Sequence, residues 1–128
     1  MKRLLIAVLV AAASVSLGAG VASAHRILFK STVSIKFVGS RYGDSFSGKV
    51  TSRKVACVRK RTVTVFKVAT GPDEVVGRDV SSATGEWQVE GGVSPGNYYA
   101  KAKRKVLKRN ARHRHICRRA TSRTIHVG

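Results

Sequence analysis

Cationic side chains fill the C-terminal part of this sequence, and their chemistry is the binding of anions. No acidic residue interrupts the stretch from Lys101 to Arg123. Such a stretch attracts polyanions, because each phosphate that it neutralises releases counterions. The sequence therefore predicts an anion-binding face on a basic hairpin. Its cations are Lys101, Lys103, Arg104, Lys105, Lys108, Arg109, Arg112, Arg114, Arg118, Arg119 and Arg123.

Residues 1–24 have the three parts of a cleavable signal peptide. Lys2 and Arg3 precede an apolar stretch over residues 4–15, and Ala22-Ser23-Ala24 supplies the small residues that signal peptidase accepts. An uncleaved anchor is the alternative, but this stretch is shorter than the roughly 20 apolar residues that span a bilayer. We expect cleavage after Ala24, which leaves one secreted domain, residues 25–128, without a transmembrane segment, outside the cytoplasm or in the cell envelope.

The charge of the chain favours anionic partners. Its 128 residues include 25 Lys and Arg against 6 Asp and Glu, a formal net charge of +19. The expected partners outside the cytoplasm are an anionic cell-wall polymer, an acidic lipid surface, or another polyanion such as acidic polysaccharide or released DNA. No recognition helix indicates sequence-specific reading of nucleic acid. The alternative is a charge that only keeps the protein in solution, and the sequence leaves both open.

Histidine at the expected mature N-terminus suggests a second kind of site. After cleavage, His25 would carry a free amine beside its imidazole, and both can bind Cu(II). A second ligand would come from His113, His115 or His126. A solvated terminal histidine is the alternative, and the cations that surround His113 and His115 oppose the binding of another cation.

The acidic residues fit no catalytic pattern. A glycosidase needs two carboxyl groups at a defined separation, and an α/β-hydrolase needs a strand–turn–helix around its nucleophile. Neither pattern is present, nor is a glycine-rich phosphate loop, so we expect no enzymatic activity and no cofactor. The six acids are Asp44, Asp73, Glu74, Asp79, Glu86 and Glu90.

Two cysteines, Cys57 and Cys117, are the only ones in the chain. In an exported protein an even number of cysteines favours a disulfide. Closing a loop of about 60 residues would stabilise the fold by roughly 4 kcal/mol. The alternative is a reactive thiol near His115, but no carboxylate lies near in sequence to orient that histidine.

Alternation of apolar and polar residues predicts strands along most of the mature chain. Turn residues separate the strands about every ten residues, which is typical of a β-sandwich. We therefore expect an all-β, seven-stranded Greek-key sandwich with Trp87, Val89, Tyr98 and Ala100 facing inward. A helix over residues 101–119 is the alternative for the basic stretch. The predicted strands cover residues 27–37, 46–51, 62–68, 75–80, 86–90, 98–105 and 124–127.

Several short motifs resemble the transthyretin-like (prealbumin-like) family, which includes carboxypeptidase regulatory-like domains. The motifs are Phe46-Ser47-Gly48-Lys49-Val50, Cys57, Arg61-Thr62-Val63-Thr64-Val65, Thr84-Gly85-Glu86-Trp87, Pro95-Gly96-Asn97-Tyr98-Tyr99-Ala100, and Cys117 with Ser122. The resemblance covers about residues 44–127 and implies a sandwich rather than an activity. The family's isopeptide crosslink is not expected, since residues 122–127 contain no Asn or Asp. The C-terminal signature of its purine-pathway hydrolases is also missing.

Overall fold

The computed structural model describes residues 25–110 and 112–128. The predicted signal peptide lies outside the described residues. Across the described ranges, no helix is long and apolar enough to cross a membrane. Strands and one short 3-10 turn, Val55–Cys57, are the regular elements found there, so the all-β prediction is confirmed.

The described residues form twelve strands, more than the seven that the alternation predicted. Residues 27–37 contribute to three strands, because the chain leaves one sheet after Phe29 and enters another. The basic stretch adds further strands, so the helix alternative over residues 101–119 is wrong. In chain order the strands are β1 (His25–Phe29), β2 (Ser31–Val33), β3 (Lys36–Val38), β4 (Ser45–Ser52), β5 (Thr62–Lys67), β6 (Glu74–Val80), β7 (Glu86–Glu90), β8 (Gly96–Ala102), β9 (Lys105–Arg109), β10 (His113–Cys117), β11 (Ala120–Thr121) and β12 (Ile125–Val127).

Two antiparallel sheets pack face to face as a β-sandwich. One sheet has the strand order β11-β8-β5-β6, with β12 also paired to β8. The other has the order β2-β4-β3, with β7 also paired to β4. After β6 and β7 the chain returns to place β8 beside β5, which is the Greek-key connection that the sequence predicted.

Alternate residues of these strands fill the space between the two sheets. The ring centroids of Phe46 on β4 and Tyr98 on β8 lie 4.7 Å apart and join the two layers. Trp87, Val89, Tyr98 and Ala100, which were predicted to face inward, are all buried. In residues 27–37 the alternation identified the core only in part, since Val33 and Ile35 are buried whereas Ile27 and Phe37 are exposed. The core consists of Val33, Ile35, Phe46, Val50, Val63, Val65, Trp87, Val89, Tyr98, Ala100, Ala102 and Ala120.

A third sheet, which we call the basic sheet, has the strand order β1-β10-β9. Strand β1 runs parallel to β10, and β9 runs antiparallel to it. None of its residues belongs to the core between the other two sheets. Its buried side chains include Ile116 and Cys117 of β10.

The predicted disulfide between Cys57 and Cys117 joins the basic sheet to the sandwich. The two Cα atoms lie 5.4 Å apart, and both residues are fully buried. Cys57 ends the 3-10 turn between β4 and β5, and Cys117 ends β10. The bond therefore fixes the central strand of the basic sheet to a loop of the sandwich.

Candidate anion-binding site

A cleft of about 680 Å³ lies between the basic sheet and the edge of the sandwich. We call it the basic cleft. Its lining contains cations and hydroxyl groups but no carboxylate, and Leu28, Val33, Ile116 and Ala120 form its apolar part. The cations are Arg26, Lys30, Arg104, Arg118, Arg119 and Arg123, and the hydroxyl groups belong to Ser31, Thr32, Thr121 and Ser122.

Strand pairing and loop hydrogen bonds hold these cations around the basic cleft. Leu28 pairs with Ile116, so Arg26, two residues before Leu28, lies on the cleft side of the basic sheet. The backbone N–H of Arg118 donates to the carbonyl of Phe29 at 2.9 Å, which ties the loop after β10 to β1. The N–H of Ser122 donates to the carbonyl of Ala100 at 2.8 Å and holds the segment before Arg123 against β8.

A second basic cleft, of about 660 Å³, continues from the first along the outer face of β5 and β8. The two clefts share Arg104 and Arg119, and the second adds Arg78, Lys101 and Lys103 without a carboxylate. At its far side the rings of Phe66 and Tyr99 stack with centroids 5.4 Å apart. The ammonium group of Lys101 lies 5.5 Å from the Phe66 centroid and 5.7 Å from the Tyr99 centroid.

Arg61 places a further positive charge behind the wall of the basic cleft. Its guanidinium group is fully buried and has five hydrogen bonds, all to neutral acceptors. The acceptors are Ser31 Oγ and the carbonyls of Cys57, Lys103 and Arg118, at distances from 2.8 to 3.1 Å. Burial lowers the pKa of Arg61 from its ordinary value. Sequence reasoning missed this residue because arginine is rarely fully buried.

The predicted cations are distributed over three places rather than on one basic hairpin, and this corrects the prediction. Strand β8 carries Lys101 in the sandwich, because the chain changes sheets between β8 and β9. The loops carry Lys103, Arg104, Arg118, Arg119 and Arg123, and the hairpin of β9 and β10 carries Lys105, Lys108, Arg109, Arg112 and Arg114. Arg26 and Lys30 lie far from the basic stretch in the sequence, so the prediction left them out of the site.

Lys105 contributes to the attachment of the basic sheet. Its Nζ donates to the carbonyls of Arg59 at 2.9 Å and Ala56 at 3.3 Å. Its pKa is lowered first by burial and then by the charges of Arg61, Arg59 and Lys60. This side chain therefore binds a loop of the sandwich and does not line the basic cleft.

The acidic side chains lie in other parts of the molecule. Asp44 and Glu90 line one depression, and Asp79 and Glu86 line another. Asp73 accepts a hydrogen bond from the hydroxyl of Tyr99, which lowers the pKa of Asp73 and raises that of Tyr99. No carboxylate lines either basic cleft, but Asp73 lies near enough to Lys101 of the second cleft for that cation to lower the pKa of Asp73 as well.

Three of the four histidines, His25, His113 and His115, lie together on one face of the basic sheet. Arg26 and Arg114 lie on the opposite face. The imidazole centroids of His25 and His113 lie 6.3 Å apart, and those of His113 and His115 lie 6.4 Å apart. His126 lies elsewhere, on β12, where its Nδ1 is 2.9 Å from Asn97 Oδ1. Among residues 25–110 and 112–128, no three His, Cys, Asp or Glu side chains are arranged to hold a metal ion.

Comparison of the chain with known protein families, with curated proteins and with solved structures finds no match. The resemblance to transthyretin-like domains therefore stays a prediction that rests on the short sequence motifs alone.

Proposed function

We propose that this chain is a secreted, non-catalytic sandwich module that contacts anionic polymers of the cell envelope through the basic cleft. The observation that carries this proposal is a cleft lined by six cations without a carboxylate. Five of these cations are arginines, whose planar fork pairs with phosphate or carboxylate oxygens in two parallel hydrogen bonds. The hydroxyl groups around them supply further donors.

An extended ligand fits this surface better than a small one. The second cleft shares Arg104 and Arg119 with the first, so cations continue from the basic sheet onto the outer face of β8. A polymer lying along both clefts neutralises more charges and releases more counterions than a small anion does. This continuity favours a chain-like polyanion as the partner.

The cellular location that we propose is outside the cytoplasm or in the cell envelope. The predicted signal peptide and a buried disulfide support it, because disulfides persist in oxidising compartments. The absence of an arranged catalytic group in the sequence supports a binding role. The motifs shared with transthyretin-like domains support the same kind of module.

Titration with inorganic polyphosphate at low and at physiological salt tests the proposal. The protein is expressed with its own leader and purified with its disulfide intact. We expect the affinity to fall steeply with salt, because counterion release drives binding. The double substitution Arg119→Gln and Arg123→Gln should weaken binding about tenfold and reduce the salt slope by about two, one for each arginine that no longer neutralises a phosphate.

The matched control is Arg41→Gln with Arg59→Gln, which removes the same charge from exposed positions outside both clefts. We expect the control to change the affinity less than about threefold, since exposed charges far from a ligand are screened. Equal losses in the two double variants would show that net charge, rather than the cleft, binds the polymer. An affinity that does not depend on salt would overturn the electrostatic mechanism.

Copper binding at His25 is the second candidate function, and the neighbouring ring of His113 favours it. Cleavage after Ala24 would give His25 a free amine, so the terminal nitrogen and two imidazoles could bind Cu(II) together. In the structure this nitrogen donates to the carbonyl of Arg112 at 2.8 Å, a bond that copper would replace.

A copper titration of the protein that begins at His25, compared with one that carries an extra alanine before it, tests this candidate. We expect the extension and His113→Gln each to lower the affinity, while His126→Gln leaves it unchanged. Equal affinities with and without the extension would exclude the terminal amine as a ligand.

A further inference from the structure

Three arginines stand side by side on one face of the basic sheet, and we call them the arginine row. Arg26 of β1 pairs with Arg114 of β10, and Arg114 pairs with Arg109 of β9. Paired residues on neighbouring strands point to the same face, with Cβ atoms about 5 Å apart. Like charges at this spacing repel one another and destabilise a sheet. The three arginines therefore do not serve to stabilise the fold.

The central arginine of the row has an unsatisfied donor. Arg114 Nε is buried and has no hydrogen-bond partner among the described residues. The pKa of Arg114 is lowered by Arg109 first, then by burial, Arg104 and Arg26. All three charged neighbours are cations, so Arg104 adds a fourth positive group to the row.

Arg61 shows how this fold satisfies the donors of an arginine that has a structural role. The buried guanidinium of Arg61 donates to carbonyls and a hydroxyl on four separate segments, and none of its nitrogens is without a partner. Arg114 has no such set of acceptors. This contrast indicates that the row serves to hold an acceptor that the chain itself does not supply.

We propose that Arg26, Arg109 and Arg114 bind a phosphomonoester group at one end of the basic cleft. A phosphomonoester carries about two negative charges at neutral pH and three terminal oxygens, one for each arginine of the row. A carboxylate has two oxygens in one plane and is satisfied by the fork of a single arginine. The inference rests on the proposed function, because it names a chemical group on the anionic polymer that the cleft contacts.

Titration with glycerol 3-phosphate, followed through the arginine Nε–Hε signals in NMR spectra, tests this inference. We expect the Arg114 signal to move most, with smaller movements for Arg26 and Arg109, because Arg114 Nε gains its first acceptor. Acetate and dimethyl phosphate at equal ionic strength should bind at least about tenfold more weakly, since each lacks a charge and an oxygen. Comparable binding of either ligand would overturn the proposal.

The pH dependence of binding comes from the ligand. Affinity should rise as the pH increases through the second phosphate pKa near 6. The protein groups facing the ligand are the guanidinium groups of Arg26, Arg104, Arg109 and Arg114. The three histidines of the basic sheet lie on its other face. Affinity that falls between pH 5 and pH 7 would contradict the assignment.

Substitutions separate this inference from the proposed function. Arg114→Gln should weaken glycerol 3-phosphate binding about tenfold. Arg109→Gln, at an exposed position, should also weaken binding and replaces Arg114→Gln if that variant fails to fold. The matched control, Arg112→Gln, removes an exposed charge from the turn of the same hairpin and should change binding less than twofold. If polyphosphate binds but glycerol 3-phosphate moves no arginine signal, the inference fails while the proposed function stands. If neither ligand binds, both fail.

Discussion

In the sandwich, apolar side chains from two sheets meet in one core, whereas the basic sheet contributes no residue to that core. The basic sheet is instead joined to the sandwich by the Cys57–Cys117 disulfide and by hydrogen bonds to backbone carbonyls. Arg61 donates to the carbonyls of Lys103 and Arg118 on either side of the β9–β10 hairpin, and Lys105 donates back to Ala56 and Arg59.

The difference follows from charge. Arginines on three neighbouring strands of the basic sheet repel one another, and its apolar side chains Ile27, Leu28 and Val106 stay exposed instead of joining the core. The disulfide and the hydrogen bonds of Arg61 and Lys105 hold the basic sheet on the sandwich, and they involve few of its outward-facing side chains. The arginines therefore stay available on the surface, and the sandwich supplies the rigid base that keeps them in place.

Truncation of the core should affect both regions equally. Phe46 is fully buried and packs on Tyr98, so Phe46→Ala should lower the free energy of unfolding by up to about 5 kcal/mol. Hydrogen exchange should accelerate to the same extent in β5 and β10, since the basic sheet cannot remain folded without its base. Faster exchange in β5 with β10 still protected would show that the two regions unfold independently.

Loss of the disulfide should affect the basic sheet first. Cys57→Ala with Cys117→Ala opens a loop with a sequence separation of 60, which should cost about 4 kcal/mol. Because the bond anchors β10, amides of β9 and β10 should lose more exchange protection than those of β5 and β8.

Reduction of the unsubstituted protein is the control for the disulfide, because it breaks the bond without removing the sulfur atoms. We expect reduced protein and the double variant to show the same pattern of exchange. A uniform loss of protection across all strands would mean that the bond stabilises the whole chain and does not act as a local anchor.

Arg61 is the polar counterpart of the disulfide, with a smaller expected effect. Arg61→Met fills a similar volume but leaves the carbonyls of Lys103 and Arg118 without their donor, which should cost about 2 to 3 kcal/mol. Polyphosphate affinity should also fall, because a positive charge behind the cleft is lost. Arg61→Lys keeps the positive charge but lacks the planar guanidinium group. Calorimetry should therefore show destabilisation in both variants, whereas titration should show a loss of polyphosphate affinity mainly in Arg61→Met.

The sandwich was largely predictable because its central strands β4, β5, β7 and β8 each have one face on the core. Strand β7 illustrates this: Trp87 and Val89 alternate with three exposed polar residues, and the predicted range 86–90 is the observed strand. The basic sheet was not predictable to the same degree. Its parallel pairing of β1 with β10 joins segments that are far apart in the sequence, and a local pattern carries no information about such a pairing.

The candidate site was predicted in part for the same reason. Charge density alone identified Arg104, Arg118, Arg119 and Arg123, which do line the basic cleft. Membership of Arg26 depended on the register between β1 and β10, and the role of Arg61 depended on acceptors from four segments. Both are properties of the assembled fold, so residue types along the chain could not reveal them.

Acid should act on the molecule through the carboxylates of the sandwich, because the strands of the basic sheet contain none. The carboxylate of Glu86, at the start of β7, accepts hydrogen bonds from the hydroxyls of Thr84 and Ser82, which lowers its pKa from 4.5 to about 2. A folded-state pKa below the unfolded one gives stability that is present above pH 4.5 and lost as the pH falls towards 2. Glu86→Gln should therefore flatten the loss of stability over this window, by a small amount because the group is exposed. Urea unfolding at several pH values measures this change, with Glu74→Gln on β6 as the charge-matched control. If both variants reduce the pH dependence of the unfolding free energy equally, the effect comes from net charge instead.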